Sequence, residues 1–580
     1  MKLPLFLLSL SFSLFLSQTK SQPFITDLYA MLSLRKALNA EFTLNWTHIN
    51  PCKWPHVSCN KSHRVTRIQI NGQNLSGTLP SDLRNLTALQ HLELQSNHLS
   101  GQLPTLHGMA HLQILLLHDN QFTSIPSDFF TGLASLAAVS FDNNPFSSWT
   151  IPESLKDAKK LAQFTARSAN VTGVIPEFFG LFSQLNHLSL SFNSLWGPLP
   201  GSFSGSPVNS LWLNNQDGHG LSGSTEIVAN MTSLFQLWLH SNDFSGPLPD
   251  FSRLKSLRDL KLENNRFTGI VLNSLINLPS LREVSLANNL LQGPVPVFPK
   301  TVKSDGDKSM TSNRFCLPGP GYCDPRVEIL LLVAKTLNYP TRLAYLWRGN
   351  NPCSHWAGIR CDDGGNITIV NLSKMGLSGT ISPDFTILRS LQILLLFDNN
   401  LTGSIPTDII SLKKLELVDV RNNSLSGEVP RFDGNVKVLT DGNTAIIEEE
   451  THGSSPSPGP SVEVPASFAT ASPPTSNGSK TKVEGSSKRS LVLIGIIVSS
   501  VICSVCGILL TGLLGFCFYK RKQQPMGRVQ SSNVTVIHSQ GCGPDPDSTK
   551  ITVDGSTSKW AALFQIGSRE GWSRSIGGRD

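Results

Sequence analysis

The one stretch of this chain that matches a nucleotide-binding motif is Gly218-His-Gly-Leu-Ser-Gly223, a G-x-G-x-x-G pattern. In a dinucleotide-binding protein this loop follows a strand and opens a helix whose N-terminus faces a phosphate. Here it falls on a Leu-Ser-Gly turn after a leucine-rich segment, so we predict a turn and no nucleotide site. The chain also lacks G-x-S-x-G, H-E-x-x-H and P-loop lysine patterns. We therefore predict no catalytic residues and no cofactor.

Six of the ten cysteines form three close pairs in the N-terminal part of the chain. An even number of cysteines in an oxidising compartment favours disulfides. The alternative is a metal site at Cys52, His56 and Cys59, but no fourth ligand stands at a spacing known for zinc. We expect no metal, and disulfides Cys52–Cys59, Cys316–Cys323 and Cys353–Cys361.

Recognition of another protein is indicated by tryptophans at matching places in two neighbouring L-x-x-L-x-L segments. Trp212 and Trp238 stand between leucines, where side chains point away from the core, and polar or charged residues surround them. This composition is typical of interface hot spots. The alternative is that both tryptophans are scaffold, stacked on each other and partly covered by glycans. The predicted partner-binding set is Trp212, Asn214, Gln236, Trp238, His240, Lys261 and Glu263, with Ser210 and Asp259 beside it.

Leucine-rich repeats are the elements that position these residues. Residues 234–256 contain L-x-x-L-x-L-x-x-N-x-F-S-G-x-L-P, and the pattern returns every 23–26 residues. Each core predicts one short strand, and successive strands stack into a parallel sheet with leucines facing a continuous core. We predict an α/β leucine-rich-repeat solenoid with a parallel β-sheet on its concave face. Repeats start at Val65, Leu89, Leu112, Leu136, Leu161, Leu185, Val208, Leu234, Leu257 and Leu281 in a first array (65–297), and at Ile367, Leu391 and Leu415 in a second (367–432).

An asparagine after most strands is predicted to turn the chain and to satisfy backbone groups that the buried bend would leave unpaired. Gln73, Ala169, Gln216 and Met375 replace it in four repeats. Asparagine holds the place at Asn97, Asn120, Asn144, Asn193, Asn242, Asn265, Asn289, Asn399 and Asn423.

Each array needs a cap, because a terminal coil would otherwise expose its apolar end. Residues 22–64 combine a helical pattern with NPCKWPHVSC, and residues 298–366 repeat this plan with NPCSHWAGIRC. Asp324 and Pro325 predict an N-cap and first-turn proline of a helix between them. We expect this cysteine-containing island to end one array and to cap the next.

Two apolar segments indicate a secreted chain with a membrane anchor. Residues 1–21 read as a signal peptide, and residues 491–518 are 28 residues without a charge, enough for one transmembrane helix. The cleaved signal places the N-terminal part outside, which predicts a single-pass type I protein of the plasma membrane. A Ser/Pro-rich stalk (433–487) would precede the helix, and a short, disordered cytoplasmic tail (519–580) would follow it.

Other sequence features bear on partners. Cys503, Gly507, Thr511 and Gly515 fall at four-residue spacing, which permits a homo- or hetero-dimer, although small residues are common in such helices. A net charge of +7 with 15% charged residues is too dilute to predict nucleic-acid binding. Predicted glycosylation sites, whose density suits a secreted surface, are Asn45, Asn60, Asn74, Asn85, Asn170, Asn230, Asn366, Asn371, Asn400, Asn422 and Asn477.

Two arrays divided by a cysteine island and followed by one membrane span resemble the transmembrane-kinase (TMK) subfamily of plant leucine-rich-repeat receptor-like kinases. The resemblance covers about residues 22–555 and is carried by RVTRIQINGQNLSGTLP (64–80), LWLHSNDFSGPLPDF (237–251) and NPCSHWAGIRC (351–361). It implies a plasma-membrane receptor in auxin and growth signalling, with apoplastic auxin-binding proteins among its partners. It also implies a cytoplasmic Ser/Thr kinase.

This sequence departs from that pattern because residues 519–580 carry no Gly-rich loop, H-R-D or D-F-G. We therefore expect this chain not to be an enzyme. From about Ser558 onward the sequence no longer resembles a receptor juxtamembrane segment, and we interpret the chain as a truncated isoform or as an imperfect gene model whose reading frame is lost near Ser558. The preferred function is a receptor or co-receptor ectodomain that binds an extracellular protein or peptide. The alternatives are an active receptor kinase whose catalytic part is missing, and a leucine-rich-repeat protein of the inhibitor type.

Overall fold

The computed structural model describes residues 23–443 and 445–447, which form two series of stacked coils. In the first, the strands pair side by side into a twelve-stranded sheet; the first pair is antiparallel and the later neighbours are parallel. The predicted leucine-rich-repeat solenoid with a parallel sheet is confirmed. The strands of this first sheet are Val57–Cys59, Val65–Gln69, His91–Glu93, Ile114–Leu116, Ala138–Ser140, Gln163–Thr165, His187–Ser189, Ser210–Trp212, Gln236–Trp238, Asp259–Lys261, Glu283–Ser285 and Lys303–Ser304.

The second series builds a five-stranded sheet on the same plan, again opening with an antiparallel pair. We call the face of each sheet that points away from the leucine core its concave face. The strands of this second sheet are Ile359–Cys361, Ile367–Asn371, Ile393–Leu395, Leu417–Asp419 and Lys437–Leu439.

Most coils continue past the asparagine into a second short strand, and a helical turn then returns the chain. The side strands are Ser76–Gly77, His98–Gln102, Gln121–Ser124, Trp149–Thr150, Val171–Gly173, Ser194–Leu195, Ser222–Gly223, Asp243–Pro247, Arg266–Ile270, Leu290–Gln292, Ser378–Thr380, Asn400–Thr402, Ser426–Glu428 and Ala445–Ile447. The 3-10 helices are Pro51–Lys53, Ser81–Asn85, Glu153–Asp157, Gly201–Phe203, Glu226–Asn230, Pro383–Ile387 and Thr407–Ser411. The α-helices are Pro23–Ala37, Ala40–Thr43, Phe178–Leu181, Asn273–Ile276, Gly306–Ser312, Pro325–Thr336 and Thr341–Leu346.

The asparagines serve the backbone as predicted. Asn144 Oδ1 accepts the amide of Phe122 at 3.1 Å, and its Nδ2 donates to the carbonyls of Leu117 and Phe141, each at 3.0 Å. Gln216 makes the same set of bonds in its coil, to Leu195, Leu190 and Leu213. Each side chain thus joins its own turn to the preceding coil, so one polar residue satisfies three buried backbone groups.

Both arrays extend one coil further than the sequence predicts. Lys303–Ser304 adds a strand beyond residue 297, and Asn313 there bonds Leu291 as the repeat asparagines bond their neighbours. Lys437–Leu439 adds a strand beyond residue 432, where Asn443 accepts the amide of Leu425. The predicted start of the stalk at residue 433 is therefore wrong. These coils lack the full leucine pattern, and other apolar residues, Val302 and Phe315 in the first and Val436 and Val438 in the second, pack against the core instead.

The two caps are built alike. Asp324 accepts the amide of Arg326 at 2.9 Å, which confirms the predicted N-cap of Pro325–Thr336. Each cap contains a pair of stacked indoles, Trp46 on Trp54 at 4.8 Å and Trp347 on Trp356 at 5.2 Å. The three predicted disulfides are confirmed, namely Cys52–Cys59, Cys316–Cys323 and Cys353–Cys361.

The island packs against the side strands of the first array. Thr268 Oγ1 donates to the carbonyl of Tyr339 at 2.7 Å, and Gln292 Nε2 donates to that of Trp347 at 3.3 Å. A Cβ on Gly269 would lie 2.7 Å from the Tyr339 ring, so this contact requires glycine. The island is therefore a packed connection between the arrays.

No helix among residues 23–443 and 445–447 is long and apolar enough to cross a membrane. The predicted signal peptide (1–21), transmembrane helix (491–518) and tail (519–580) lie outside the described residues, as does most of the predicted stalk.

Candidate functional site

Alternation along three neighbouring strands places the candidate residues on the concave face. Leu211, Leu237 and Leu260 point into the core and are at most 1% exposed, while the residues on either side of each leucine point outward. The parallel register aligns Ser210, Gln236 and Asp259 in one row. It aligns Trp212, Trp238 and Lys261 in a second row.

The second row and His187, which lies in the first row beside Ser210, form a continuous stack. We call it the tryptophan stack: His187, Trp212, Trp238 and Lys261. The indoles lie 4.4 Å apart at 8°, the His187 ring meets Trp212 edge-on at 4.8 Å, and Lys261 Nζ lies 4.6 Å from the Trp238 ring centre. A cation over an indole face is a favourable arrangement. Because neighbours occupy the faces of both indoles, a ligand can reach only their edges.

Hydrogen bonds distinguish the two indoles. Trp238 Nε1 donates to Asp259 Oδ2 at 2.9 Å, which fixes that ring. Trp212 Nε1 has no hydrogen-bond partner among the described residues. The Trp212 Nε1 atom is itself buried, so neither indole N–H is free to bond a ligand from solvent.

Charges lie on one side of the stack. Glu283 Oε1 is 4.0 Å from Lys261 Nζ and 3.2 Å from Lys303 Nζ. Burial raises the pKa of Asp259, against the opposing effects of its bond to Trp238 and the charge of Lys261. Burial, followed by the charge of Lys261, lowers the pKa of His240 to about 4. This imidazole is thus neutral at mildly acidic and neutral pH.

The structure separates the predicted set into two groups. Trp212, Trp238, Gln236 and Lys261 lie together in the two aligned rows. Asn214, His240 and Glu263 follow the strands. Asn214 is only 3% exposed and accepts a bond from Ser191 Oγ at 2.6 Å, so it serves the scaffold.

His187 and Glu283 contact the stack or its lysine and were missed by the sequence prediction. Both stand at the first outward position of a strand, as Ser210 and Gln236 do. That shared position was the signal that could have identified them.

The glycines of residues 218–223 have a structural explanation. A Cβ on Gly220, whose φ is +65°, would lie 2.9 Å from Asn242 Oδ1, the atom that accepts the amide of Leu221. Glycine is thus required by packing against the next coil, in agreement with the predicted turn.

The predicted glycosylation sites avoid the concave face of the first array. Among the described ones, Asn85 and Asn230 end 3-10 helices on the return path, and Asn170 precedes a side strand. Asn371, by contrast, is the last residue of a strand of the second sheet. Glycans are therefore not expected to originate beside the tryptophan stack.

Comparisons with known proteins match the repeats and both caps. Family models described as leucine rich repeat N-terminal domain match residues 25–60 and 323–362, and those described as leucine rich repeat match 111–133, 184–206 and 390–412. Receptor-like kinase TMK2 of Arabidopsis thaliana is 43% identical over 67% of this chain and 44% of its own length. Receptor-like kinase TMK4 of the same plant is 37% identical over 64% of this chain and 40% of its own length.

The match thus spans less than half the length of these curated relatives. Among solved structures, the plant peptide hormone receptor RGFR1 in complex with RGF2 is 24% identical, with 67% of this chain and 60% of that chain covered and a TM-score of 0.41.

Proposed function

We propose, since this chain is homologous over its leucine-rich repeats to the TMK receptor-like kinases, that it is the ligand-binding part of a plant cell-surface receptor or co-receptor. The proposed binding surface is the concave face of the first array around the tryptophan stack. Its ligand is an extracellular protein or peptide.

The stack is the observation that carries this proposal. Sugars are bound by aromatic residues through a free ring face, and here His187 and Lys261 cover the outer faces of the two indoles. The partly exposed edges that remain can pack against apolar side chains of a ligand. This chemistry fits a polypeptide and disfavours a wall polysaccharide.

The test compares variants of the full chain as bait for apoplastic fluid. Trp212→Ala with Trp238→Ala should lose the captured partner, whereas Trp196→Ala, an indole that is 57% exposed directly after the side strand Ser194–Leu195, should keep it. Quantitative mass spectrometry of the captured proteins measures both. Capture of the same proteins in equal amounts by all forms would contradict the proposal.

The proposal includes the location and membrane topology of the chain. The chain crosses the plasma membrane once through residues 491–518, keeps the repeats in the apoplast and pairs through that helix with itself or with another receptor kinase. Protease protection of tagged termini in intact membranes tests the orientation. Digestion of both tags from outside would contradict a type I topology.

The link to auxin and growth signalling rests on the family resemblance alone. If it holds, a purified auxin-binding protein should bind the full chain in an auxin-dependent manner, and the double tryptophan variant should weaken that binding. Auxin-independent or absent binding would remove this part of the proposal while leaving a peptide ligand open to the capture experiment.

A further inference from the structure

The concave face of the second sheet is apolar. Ile369, Ile393 and Leu417 are aligned across three neighbouring strands at the first outward position, and each is half-buried. Leu395 and Leu439 stand at the second outward position of their strands and are also half-buried. We call these five residues the second-sheet apolar face.

The fold does not require apolar residues at these places. In the first sheet the first outward positions of three consecutive strands hold Gln236, Asp259 and Glu283. The leucines that build the solenoid core alternate with these positions along the strands, and they are buried in both sheets. The second sheet thus carries half-buried apolar side chains at positions that are polar in these three strands of the first sheet. Apolar surface patches rimmed by charged residues mark interaction sites.

Asp419 interrupts the second row, but its charge is neutralised. Arg421 Nε and Nη2 donate to the two Asp419 oxygens at 2.9 and 2.7 Å. These side-chain bonds hold the pKa of the carboxyl below its usual range. The Arg421 guanidinium also lies 5.9 Å from the Phe397 ring centre, so that ring continues the apolar surface.

Two cations stand at the ends of the first row. Arg360 pairs in register with Ile369 at one end, and Lys437 pairs with Leu417 at the other. Both side chains are exposed, and neither forms an ion pair among the described residues. Four strand spacings separate them, which is about 19 Å. A segment complementary to this surface has apolar residues at its centre and an acidic residue at each end.

We propose that the second-sheet apolar face docks an extended segment of a partner protein, with apolar residues at its centre and acidic residues at both ends. About six extended residues cover this distance. The apolar centre would cover Ile369, Ile393 and Leu417, and the acidic ends would meet Arg360 and Lys437. This surface lies outside the tryptophan stack, so the inference does not depend on the function proposed above.

Asn371 sets a condition on the proposal. It is aligned with Leu395 on the same face and belongs to a predicted glycosylation site, so a glycan there would stand over the docking surface. Docking requires a form of the protein in which Asn371 is unmodified. Full occupancy of Asn371, measured by mass spectrometry of glycopeptides from the natural source, would overturn the proposal.

The binding test uses the full chain, carrying Asn371→Gln and purified in detergent. The ligands are fluorescent eight-residue peptides that share one apolar central sequence and differ only in their charged flanking residues. Glutamate-flanked peptides should bind about tenfold more tightly than lysine-flanked ones by fluorescence anisotropy. Ile393→Ser and Lys437→Glu should each weaken this binding about tenfold. Arg360→Glu with Lys437→Glu should reverse the preference toward lysine-flanked peptides.

Matched controls lie on the return path of the same array. Ile410, 43% exposed in the 3-10 helix Thr407–Ser411, is replaced by serine, and Lys414 is replaced by glutamate. Neither control should change binding. Equal loss in Ile410→Ser and Ile393→Ser, or no preference between the two peptides, would overturn the proposal. Lys437→Glu keeps the test decisive if Ile393→Ser does not fold.

Other occupants give different results. If sedimentation shows that the chain dimerises and that Lys437→Glu abolishes the dimer, the face is covered by a second copy. If peptides bind only after residues 451–487 are replaced by a Gly/Ser sequence, the chain covers its own face. Either outcome contradicts docking of a partner segment.

Discussion

The indole rings of Trp212 and Trp238 lie 4.4 Å apart and within 8° of parallel, although a complete coil separates them in the chain. The main-chain register pairs the two residues directly, and side chains of neighbouring strands stand perpendicular to the sheet. The stack thus follows from repeat length and register, which align the same position of successive coils.

The first prediction concerns the coupling of these two rings. Trp212→Ala and Trp238→Ala should each destabilise the first array, and the double variant should be more stable than additivity predicts, by about 1 kcal/mol. Thermal unfolding of the four forms measures the coupling. Combining Trp196→Ala with Trp238→Ala serves as the control and should be additive. Additive effects of the stacked pair would show that the rings do not support each other.

The second prediction concerns the cap glycines. A Cβ on Gly77 would run into the carbonyl of Ala37, and one on Gly379 would run into that of Thr336, because each cap helix lies directly over a side strand. Gly77→Ala and Gly379→Ala should each lower stability by about 2 kcal/mol or more. The matched controls are Gly72→Ala and Gly376→Ala.

Those controls also carry a positive φ, +64° and +66°, but nothing lies within 4 Å of an added Cβ. They should cost only the backbone strain, on the order of 1 kcal/mol. Melting temperatures compare the two classes. Equal losses in both would mean that the close approach of the cap helices does not limit stability.

The third prediction concerns the repeat asparagines. Asn144→Ala leaves the amide of Phe122 and the carbonyl of Phe141 without their side-chain partner, at a cost on the order of 3 kcal/mol. The carbonyl of Leu117 loses one bond but keeps the one from Asn120 Nδ2 at 3.1 Å. Gln121→Ala, at an exposed neighbouring position, should change little. Hydrogen exchange should locate the loss in the coils on both sides of Asn144. Retained protection there would indicate that water replaces the side chain.

The fourth prediction concerns pH. The side-chain bond from Arg326, aided by its charge, holds the pKa of Asp324 below its usual range. The ionised carboxyl therefore contributes stability above the pKa of the unfolded state, about 3.9, and loses it as the pH falls through the lower folded-state pKa. Asp324→Asn keeps the capping oxygen and removes the charge.

The variant should consequently be less stable than the original at neutral pH, and the difference should shrink as the pH falls below about 4. Thermal unfolding between neutral and acidic pH measures the difference. A difference that does not depend on pH would assign the effect to the cap bond rather than to the charge.

Much of the fold was predictable because the residues that shape each coil lie within one repeat. These are the spaced leucines, the asparagine and the Leu-Ser-Gly turn. The short cysteine motifs around Trp54 and Trp356 likewise predict the two caps. The last coil of each array was missed for the same reason. Lys303–Ser304 and Lys437–Leu439 pair with the preceding strand, but their coils carry only part of the repeat pattern, with valines and phenylalanine in place of leucines.

The sequence by itself determined the solenoid, its two arrays, the cysteine pairs and the outward positions of Trp212 and Trp238, because periodicity decides which side chains face the core. Only the tertiary structure shows which residues surround those positions. His187 and Lys261 cover the faces of the indoles, and Arg360 and Lys437 lie at the two ends of an apolar row. Such contacts join residues of different coils, and they depend on strand register, which no single repeat specifies.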